Sequence, residues 1–545
     1  MSGGFRSRSK SGDKPKDKPT QGSGQNRDGN GRGGNGRGGG RNPRGGKKFR
    51  GNRDNRDNRG HRQGRGGAGT GSSHRAGRQG GSGQRLNERA QAASLAQAAK
   101  QAGLDLPRAV SLETLQRVHQ EGAFANLILP RALREQKLSG RDAAFATEIA
   151  YGTLRAEGVV DAVIARCSSR ELSAIAPAVL DALRMGVYQV LYTRVEDHAA
   201  VDTTVRLVEA AGETKAKGFA NGIMRSVTRR SREDWINLLA PDDEVARLAF
   251  EHAHPEWIAR SFARVVGREE LPAALAADSE RPVVHLVARP GEITAEELAL
   301  MTGCEQGRYS PYAVYLEHSD PADLEPVKER MAAVQDEGSQ LIARAVVEAE
   351  VSGEDHGRWL DLCAGPGGKA ALMGALARIE GAKVDAVEVS EHRAKLIDRT
   401  AGDLPVRVHV ADGRDPGLES GYDRVLVDVP CSGLGALRRR PEARWRKEEA
   451  DLAELSRLQF ELLRSGLELL RPGGILIYST CSPDLRETRA IVDKAVAQLG
   501  AVEEDAHALL PEAMTDVGEE KSVQMWPHRH GTDAMFFAAL RRNDT

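Results

Sequence analysis

The chain has 545 residues, 39% of them hydrophobic, which is too long for one ordinary core and enough for two or three domains. Its formal charge of zero conceals two opposite halves: residues 1–90 carry 23 Lys+Arg against 6 Asp+Glu, and residues 91–545 carry 55 against 72. Five cysteines without a Cys-x-x-Cys pair exclude a disulfide framework and point to a reducing cytoplasm, and the chain shows neither the apolar core of a signal peptide nor the roughly 20 apolar residues of a membrane span.

Residues 1–90 hold 26 Gly and only a handful of apolar side chains, so they cannot bury enough surface to offset the entropy of ordering, and a disordered basic tail is expected. Within it, Gly31-Arg32-Gly33-Gly34, Gly36-Arg37-Gly38-Gly39 and Arg65-Gly66-Gly67 are arginine–glycine motifs, whose guanidinium groups can pair phosphates and stack on bases. RNA contact and plain solubilisation are both open readings of this tail.

After an Ala/Gln-rich helical lead-in around 88–102, residues 107–236 read as consecutive amphipathic helices. Phe145, Ile149, Leu154, Val160, Val163 and Ile164, then Leu180, Leu183, Val187, Val190 and Leu191, recur at steps of three and four, as core-facing stripes do. Asp142-Ala143-Ala144-Phe145, Tyr151-Gly152-Thr153-Leu154-Arg155, Leu183-Arg184-Met185-Gly186-Val187-Tyr188-Gln189 and Gly218-Phe219-Ala220-Asn221-Gly222-Ile223-Met224-Arg225 resemble the NusB-type RNA-binding domain. The resemblance implies an all-α fold. Arg225, Arg229, Arg230 and Arg232 near its end suit phosphate contacts or a solvated face.

Residues 241–333 are expected to form a small α+β connector: His254-Pro255-Glu256-Trp257 opens a helix, Val283–Val287 reads as a strand, and Thr294 caps a helix running to Met301. From 334 to 541 strand, turn and helix alternate. Strand-like runs are Trp359–Leu362, Lys383–Val389, Val406–Val410, Tyr422–Val429 and Ile475–Ser479, with helical patterns at Ala370–Ile379 and Glu448–Leu470. This grammar predicts a Rossmann-like α/β domain with a parallel sheet between helices. Val523–Trp526 and Met535–Leu540 could add an antiparallel hairpin at its edge.

In such a sheet ligands bind beyond the carboxyl ends of the strands. The first strand runs into Asp361-Leu362-Cys363-Ala364-Gly365-Pro366-Gly367-Gly368-Lys369, and the second ends in Glu388, twenty residues past Gly368, the separation at which an acid meets a ribose diol. A phosphate-cradling Walker loop would need Gly at 363 and Ser or Thr at 370, where the chain has Cys363 and Ala370. The Gly-x-Gly-x-x-Gly dinucleotide register is missing too. The looser loop of S-adenosylmethionine binding fits, with Asp412 placed to accept from the adenine amino group.

Two further strands end in thiols, Val425-Leu426-Val427-Asp428-Val429-Pro430-Cys431-Ser432-Gly433 and Ile475-Leu476-Ile477-Tyr478-Ser479-Thr480-Cys481-Ser482. A thiol pair in one cleft suits an enzyme that joins an electron-poor ring covalently and later lets it go. Together with Gln335-Asp336-Glu337-Gly338-Ser339-Gln340, these motifs resemble the Fmu/Sun (RsmB) family of ribosomal RNA cytosine-5 methyltransferases, from about residue 107 to 541. The resemblance implies that Asp361, Cys363, Ala364, Gly365, Pro366, Gly367, Gly368, Lys369, Glu388, Arg393, Asp412 and Asp428 surround S-adenosylmethionine. It implies that Cys481 is the nucleophile and Cys431 assists release, since DNA enzymes attack with the Pro-Cys thiol and these RNA enzymes with the Thr-Cys one. Cys431 as a small buried hydrophobe is the plainer alternative.

The chemistry requires these groups. Cytosine C5 becomes a carbon nucleophile only after a thiolate adds to C6, and Asp428 can share a proton at the N3 edge if its carboxyl group is held protonated, with Lys369 orienting it. The target base must also leave its stack, which favours a loop in RNA. Arg438, Arg439, Arg440, Arg444 and Trp445, with Arg446 beside them, are expected to supply phosphate and stacking contacts. Glu487-Thr488 and Asp533-Ala534-Met535-Phe536-Phe537 depart from the family's Glu-Asn and Asp-Gly-Phe-Phe without removing a chemical group. The expected protein is a cytoplasmic monomer that methylates C5 of a cytosine in 16S ribosomal RNA and uses neither metal nor membrane. A transfer-RNA enzyme and a NusB-type assembly factor are the alternatives.

Overall fold

The computed structural model describes residues 95–317 and 319–542; the tail expected at 1–90 lies outside the described residues. Residues 95–101 are helical. There follow α1 Leu106–Glu121, α2 Ala125–Glu135, α3 Gly140–Arg155, α4 Glu157–Cys167, α5 Pro177–Tyr192, α6 Asp197–Ala210, α7 Lys217–Val227 and α8 Arg232–Leu239. Their starts are written locally. Asp105 accepts from the Arg108 N–H at 3.0 Å with Pro107 in the first turn of α1, and Ser231 and Asp234 cap α8 reciprocally. The three-and-four stripes converge on one core, where Leu112, Leu115, Ile149, Leu154, Val160 and Leu183 are wholly buried and Phe145, Leu180 and Val190 pack at the rim.

Helicity continues beyond residue 236 in α9 Glu244–Glu251 and α10 Glu256–Asp278, the latter broken at Gly267. Ile258, Phe262, Leu271 and Leu275 of α10 pack with Leu434, Leu437 and Trp526, so this part of the connector is a helical brace on the last domain. The remainder is a small antiparallel sheet of β1 Val284–Ala288, β2 Glu305–Gln306, β3 Ala313–Leu316 and β4 Ala332–Val334, in the order β2-β3-β1-β4. Against it lies α11 Ala295–Thr302, whose cap Thr294 accepts from the Glu297 N–H at 3.1 Å.

The last domain contains α12 Glu337–Glu348, β5 Arg358–Asp361, α13 Gly368–Glu380, β6 Lys383–Val387, α14 Glu391–Ala401, β7 Val406–His409, β8 Tyr422–Asp428, α15 Asp451–Leu469, β9 Leu470–Thr480, α16 Arg489–Leu499, β10 Ala501–Glu504, β11 Val523–Gln524 and β12 Phe536–Arg542. Its sheet runs β10-β12-β9-β8-β5-β6-β7, with β11 on β12. The pairs from β9 through β7 are parallel, and Val425, Leu426, Val427, Leu476, Ile477 and Tyr478 at its centre are buried on both faces. Because β5 lies between β6 and β8, the strand order reverses there, and the crevice at the carboxyl ends of β5 and β8 is where a ligand should sit.

The expected edge hairpin is corrected in one respect. Val523 and Gln524 do pair antiparallel with Phe537 and Phe536, but β12 lies inside the sheet, between β9 and β10. The edge is β10, whose Ala501-Val502-Glu503-Glu504 is too short and acidic to announce itself as a strand. Its two glutamates suit a strand edge that must not pair with another chain.

The helical and α/β domains lie in one compact unit, joined by the stretch after Cys431. Glu442 accepts from the Ala125 N–H at 3.1 Å, and Trp445 Nε1 donates to Leu154 O at 2.9 Å. The Trp445 ring is so close that a Cβ at Gly158 would lie 2.4 Å from it. Arg446 donates to Gly122 O at 3.2 Å and Ala123 O at 3.0 Å, where carbonyls beyond the end of α1 need donors. Fully buried Arg444 donates to Ala253 O, Ser279 Oγ and Asp278 O at 3.0, 3.2 and 3.0 Å. Arg438 bonds to Asp533 and Gly531, and Arg439 to Asp533 and to Asp336 at 2.7 Å.

These contacts correct the expectation of an RNA face built from Arg438, Arg439, Arg444 and Trp445. The stretch crosses between domains, where buried carbonyls and carboxylates require donors, and these side chains meet that need inside the protein. Arg440 differs: it is exposed, with its guanidinium 5.7 Å from the Phe124 ring centre. In the helical domain Arg225, Arg229 and Arg230 are likewise exposed, Arg230 lying over Trp235 at 5.1 Å, whereas half-buried Arg232 covers Tyr192 at 4.9 Å.

Candidate active site

Asp361 ends β5, and the turn that follows leads into the N-terminus of α13. The turn needs its glycines. Gly367 has φ 114°, and a Cβ on Gly365 would lie 2.1 Å from Glu388 Oε2. Glu388, 3% exposed beyond the end of β6, accepts from the Ser390 N–H at 2.8 Å. Arg393 on α14 bridges this acid and the glycine turn, lying 3.3 Å from Glu388 Oε2 and donating to Gly365 O. Ala364 N–H closes the turn onto Val387 O at 2.9 Å.

Asp361 is buried, and neither carboxylate oxygen has a hydrogen-bond partner among the described residues. Burial, then the nearby charge of Asp428, pushes its carboxyl group up to about 7, with Lys369 acting in the opposite direction. An unmet pair of acceptors at a strand end is an invitation to a ligand with ammonium or hydroxyl donors. Cys363 lines the same turn with its thiol pushed well up by burial, then by the charges of Asp361, Asp428 and Glu388. Asp412 is already engaged: Arg414 donates to its two oxygens at 3.0 and 2.6 Å and holds it below the usual carboxylate range.

Asp428, the last residue of β8, accepts from Lys369 Nζ at 2.8 Å and from Ser479 Oγ at 2.7 Å. Burial pulls Lys369 down, but Asp428 more than offsets it and the ammonium group is strengthened. The ion pair thus stands where a protonated Asp428 was expected. The thiols of Cys431 and Cys481 lie 3.1 Å apart. Their S–H···S bond holds Cys431 below the usual thiol range and, with burial and the charges of Cys431 and Asp428, holds Cys481 well above it. Such a pair gives up one proton together and keeps the second.

Several supporting residues were given no role from the sequence. Ser479 fixes Asp428. Ser432 and Ser482, each following a thiol, lie 3.1 Å apart, and Glu487 and Gln459 are buried beneath them. The repeated Cys-Ser pair is the signal that could have raised this. Gln335, 7% exposed and with both amide atoms unpartnered among the described residues, sits beside Gly368 at the edge of a cleft of about 300 Å³ lined also by Arg289, Val334, Pro366 and Leu396. Among the described residues no group of three or more His, Cys, Asp or Glu could hold a metal ion, and no helix is long and apolar enough to cross a membrane.

The family model for 16S rRNA methyltransferase RsmB/F matches residues 349–541, and that of the NusB family matches residues 105–229. Rv1407, a candidate methyltransferase of Mycobacterium tuberculosis, is 52% identical over 444 residues, covering 81% of this chain and 97% of that protein. Ribosomal RNA small subunit methyltransferase B of Escherichia coli O6:K15:H31 is 32% identical over 445 residues, 79% of this chain and 98% of that one. The crystal structure of PH0851, 22% identical, superposes with a TM-score of 0.68 over 80% of this chain and 99% of its own, a likeness of fold.

Proposed function

This chain belongs to the RsmB/F family of S-adenosylmethionine-dependent RNA cytosine-5 methyltransferases, with a NusB-family domain ahead of the catalytic one; from that premise we propose that it methylates a cytosine of 16S ribosomal RNA, at the 967-type site, in the cytoplasm. The observation that carries the chemistry is the thiol pair, 3.1 Å apart, next to the Asp428–Lys369 ion pair. The reading of the substrate rests on the 32% identity to ribosomal RNA small subunit methyltransferase B over nearly its whole length.

S-adenosylmethionine, when bound, supplies a methyl group made electrophilic by its sulfonium sulfur. Asp361, the turn from Cys363 to Lys369, Glu388, Arg393, Asp412 and Asp428 are the residues proposed to hold it. The unpartnered oxygens of Asp361 fit its donors, and Glu388 is placed for a ribose diol.

In the proposed mechanism the Cys481 sulfur forms a bond to cytosine C6, and the C5=C6 electrons move toward C5. Lys369 and Asp428 deliver and hold the proton at the N3 edge as charge builds there. After C5 has gained its methyl group, Cys431, once the proton left on it has passed to solvent, takes the proton still on C5 as the thiolate. The electrons of that C–H bond restore C5=C6, and the C6–S pair returns to Cys481.

Bisulfite sequencing of ribosomal and transfer RNA from cells with and without the protein tests the assignment. Methylation at the 967-type cytosine should disappear without it. A loss confined to transfer RNA would move the substrate while leaving the chemistry, and no lost cytosine methylation would favour an assembly factor.

A further inference from the structure

Two short loops, one after β8 and one after β9, carry the two thiols, and the backbone ladder between them reaches as far as the Val429 N–H, which donates to Ser479 O at 3.0 Å. The register comes from one buried carboxylate. Glu487, with no exposed surface, accepts from the Ser432 N–H at 2.8 Å and from Gln459 Nε2 at 2.9 Å on one oxygen, and from the Ser432 hydroxyl on the other. Gln459 on α15 also donates to Pro430 O at 3.0 Å. The peptide groups on both sides of Cys431 are therefore pinned, Pro430 by Gln459 and Ser432 by Glu487. The Ser432 hydroxyl lies 3.1 Å from that of Ser482, and the Gly435 N–H donates to Cys481 O at 2.9 Å. Each of the last two contacts ties one thiol loop to the other.

We propose that Glu487 is the positioning residue of the release step, holding Cys431 against Cys481 so that it can take the C5 proton from the covalent intermediate. The inference rests on the reading of Cys431 as the release thiol. Two physical effects follow from a carboxylate at this place. Three donors converge on it, and charge-assisted bonds of that kind fix geometry more firmly than neutral ones. Its negative charge also opposes ionisation of Cys431, against the S–H···S bond that favours it, which keeps that sulfur a stronger base for proton removal. The titratable groups facing Cys431 are Tyr478 from β9, Cys481 just past its end, and Glu487 ahead of α16.

The test uses the full-length protein, S-adenosylmethionine and a 16S rRNA fragment containing the target. Glu487→Ala and Glu487→Gln are each made alone and in a Cys431→Ala background, and the readouts are formation and decay of the denaturation-resistant protein–RNA adduct and the pH profile of decay. Glu487→Ala should slow adduct decay by roughly tenfold or more, the size of one lost buried hydrogen bond, while adduct formation stays within about threefold. In the Cys431→Ala background it should add nothing. Glu487→Gln, which keeps an acceptor for Ser432 but loses the charge, should move the pH profile of decay to lower pH.

Equal slowing of formation and decay, or additive effects in the Cys431→Ala background, would overturn the proposal. If Glu487→Ala does not fold, Gln459→Ala must show the slow decay; unchanged decay there overturns it as well. Should Cys431→Ala itself leave no adduct, the reading of Cys431 fails first, and the two failures are told apart.

Discussion

Replacing Arg444 with alanine separates a structural strut from an RNA contact, the two roles open to a basic residue beside the thiol loop. Its guanidinium has no exposed surface and reaches Ala253 O, Ser279 Oγ and Asp278 O, with Asp278 Oδ2 at 3.3 Å. Burial pulls it down to about 10, so it is still charged at neutral pH. Asp278 is likewise buried, and His254 lies 2.9 Å from its Oδ2, an imidazole which burial and then Arg444 hold down at about 4 and hence neutral. Truncation therefore leaves a buried carboxylate without its cation and two carbonyls without donors, a loss of about 3–5 kcal/mol. For a domain of this size that lowers the unfolding midpoint by roughly 6–20 °C. An arginine on a solvated RNA face would change stability by about 0.5 kcal/mol at most, and its loss would weaken RNA binding with a salt slope smaller by about one. Thermal unfolding, paired with RNA titrations at several salt concentrations below both midpoints, reads the two outcomes. An unchanged midpoint with a reduced salt slope would refute the placement of Arg444 inside the domain seam.

Cys481→Ala should abolish both methyl transfer and covalent RNA capture, and retained turnover would remove Cys481 from the nucleophile's role. Cys431→Ala should leave an adduct visible on denaturing electrophoresis; normal turnover without one would return that thiol to packing. Asp361 has a sign that can be worked out: its carboxyl group, at about 7 in the fold against the usual 3.8, binds a proton that the unfolded chain has lost. Its contribution is complete below pH 3.8 and is lost as pH rises through about 7, amounting to about 4 kcal/mol at most. Urea midpoints of the ligand-free protein should therefore fall across that window and fall less in Asp361→Asn, and parallel slopes would refute it. Deleting residues 1–90 should weaken RNA binding most at low salt, whereas equal affinity at 50 mM and 150 mM salt would assign the tail to solubility.

What was legible in the chain is what depends on neighbours in sequence. The turn after Asp361 and the two thiol runs each combine a strand's apolar stretch with the residues that its end presents, so their position at the sheet's switch point follows from alternation alone. The helical domain was legible for the same reason, since the stripes of Ile149, Leu154 and Val160 carry their own period. Where a side chain's role depends on a partner far along the chain, the reading failed. Arg444 and Trp445 look like a basic, aromatic RNA patch until Asp278 and Leu154, well over 150 residues away, are seen to accept from them. The same holds for β12, whose apolar run says strand but not which neighbours it has, and for β10, which says nothing.

Proton placement shows the limit most clearly. An apolar run ending in Asp428 suggested a carboxyl group kept protonated by its surroundings. Instead Lys369, in the first turn of α13, pairs with it, and among the described residues the buried acid with both oxygens unpartnered is Asp361 at the end of the neighbouring strand. Both carboxylates end strands, both are flanked by apolar residues, and only the lysine's reach distinguishes them. The difference has a functional reading: Asp361, pushed up to about 7, awaits a ligand's donors, while Asp428 already has beside it the cation that N3 protonation requires. In the proposed mechanism acid chemistry and ligand binding fall to adjacent strand ends, one of which is held by an ion pair 2.8 Å long. Lys369→Met should blur that division, because removing the cation that opposes the rise at Asp361 pushes its carboxyl group further up. Cofactor affinity measured by calorimetry from pH 6 to 9 should then lose its plateau at a higher pH than in the parent protein, and superimposable profiles would show that the two acids do not share the lysine.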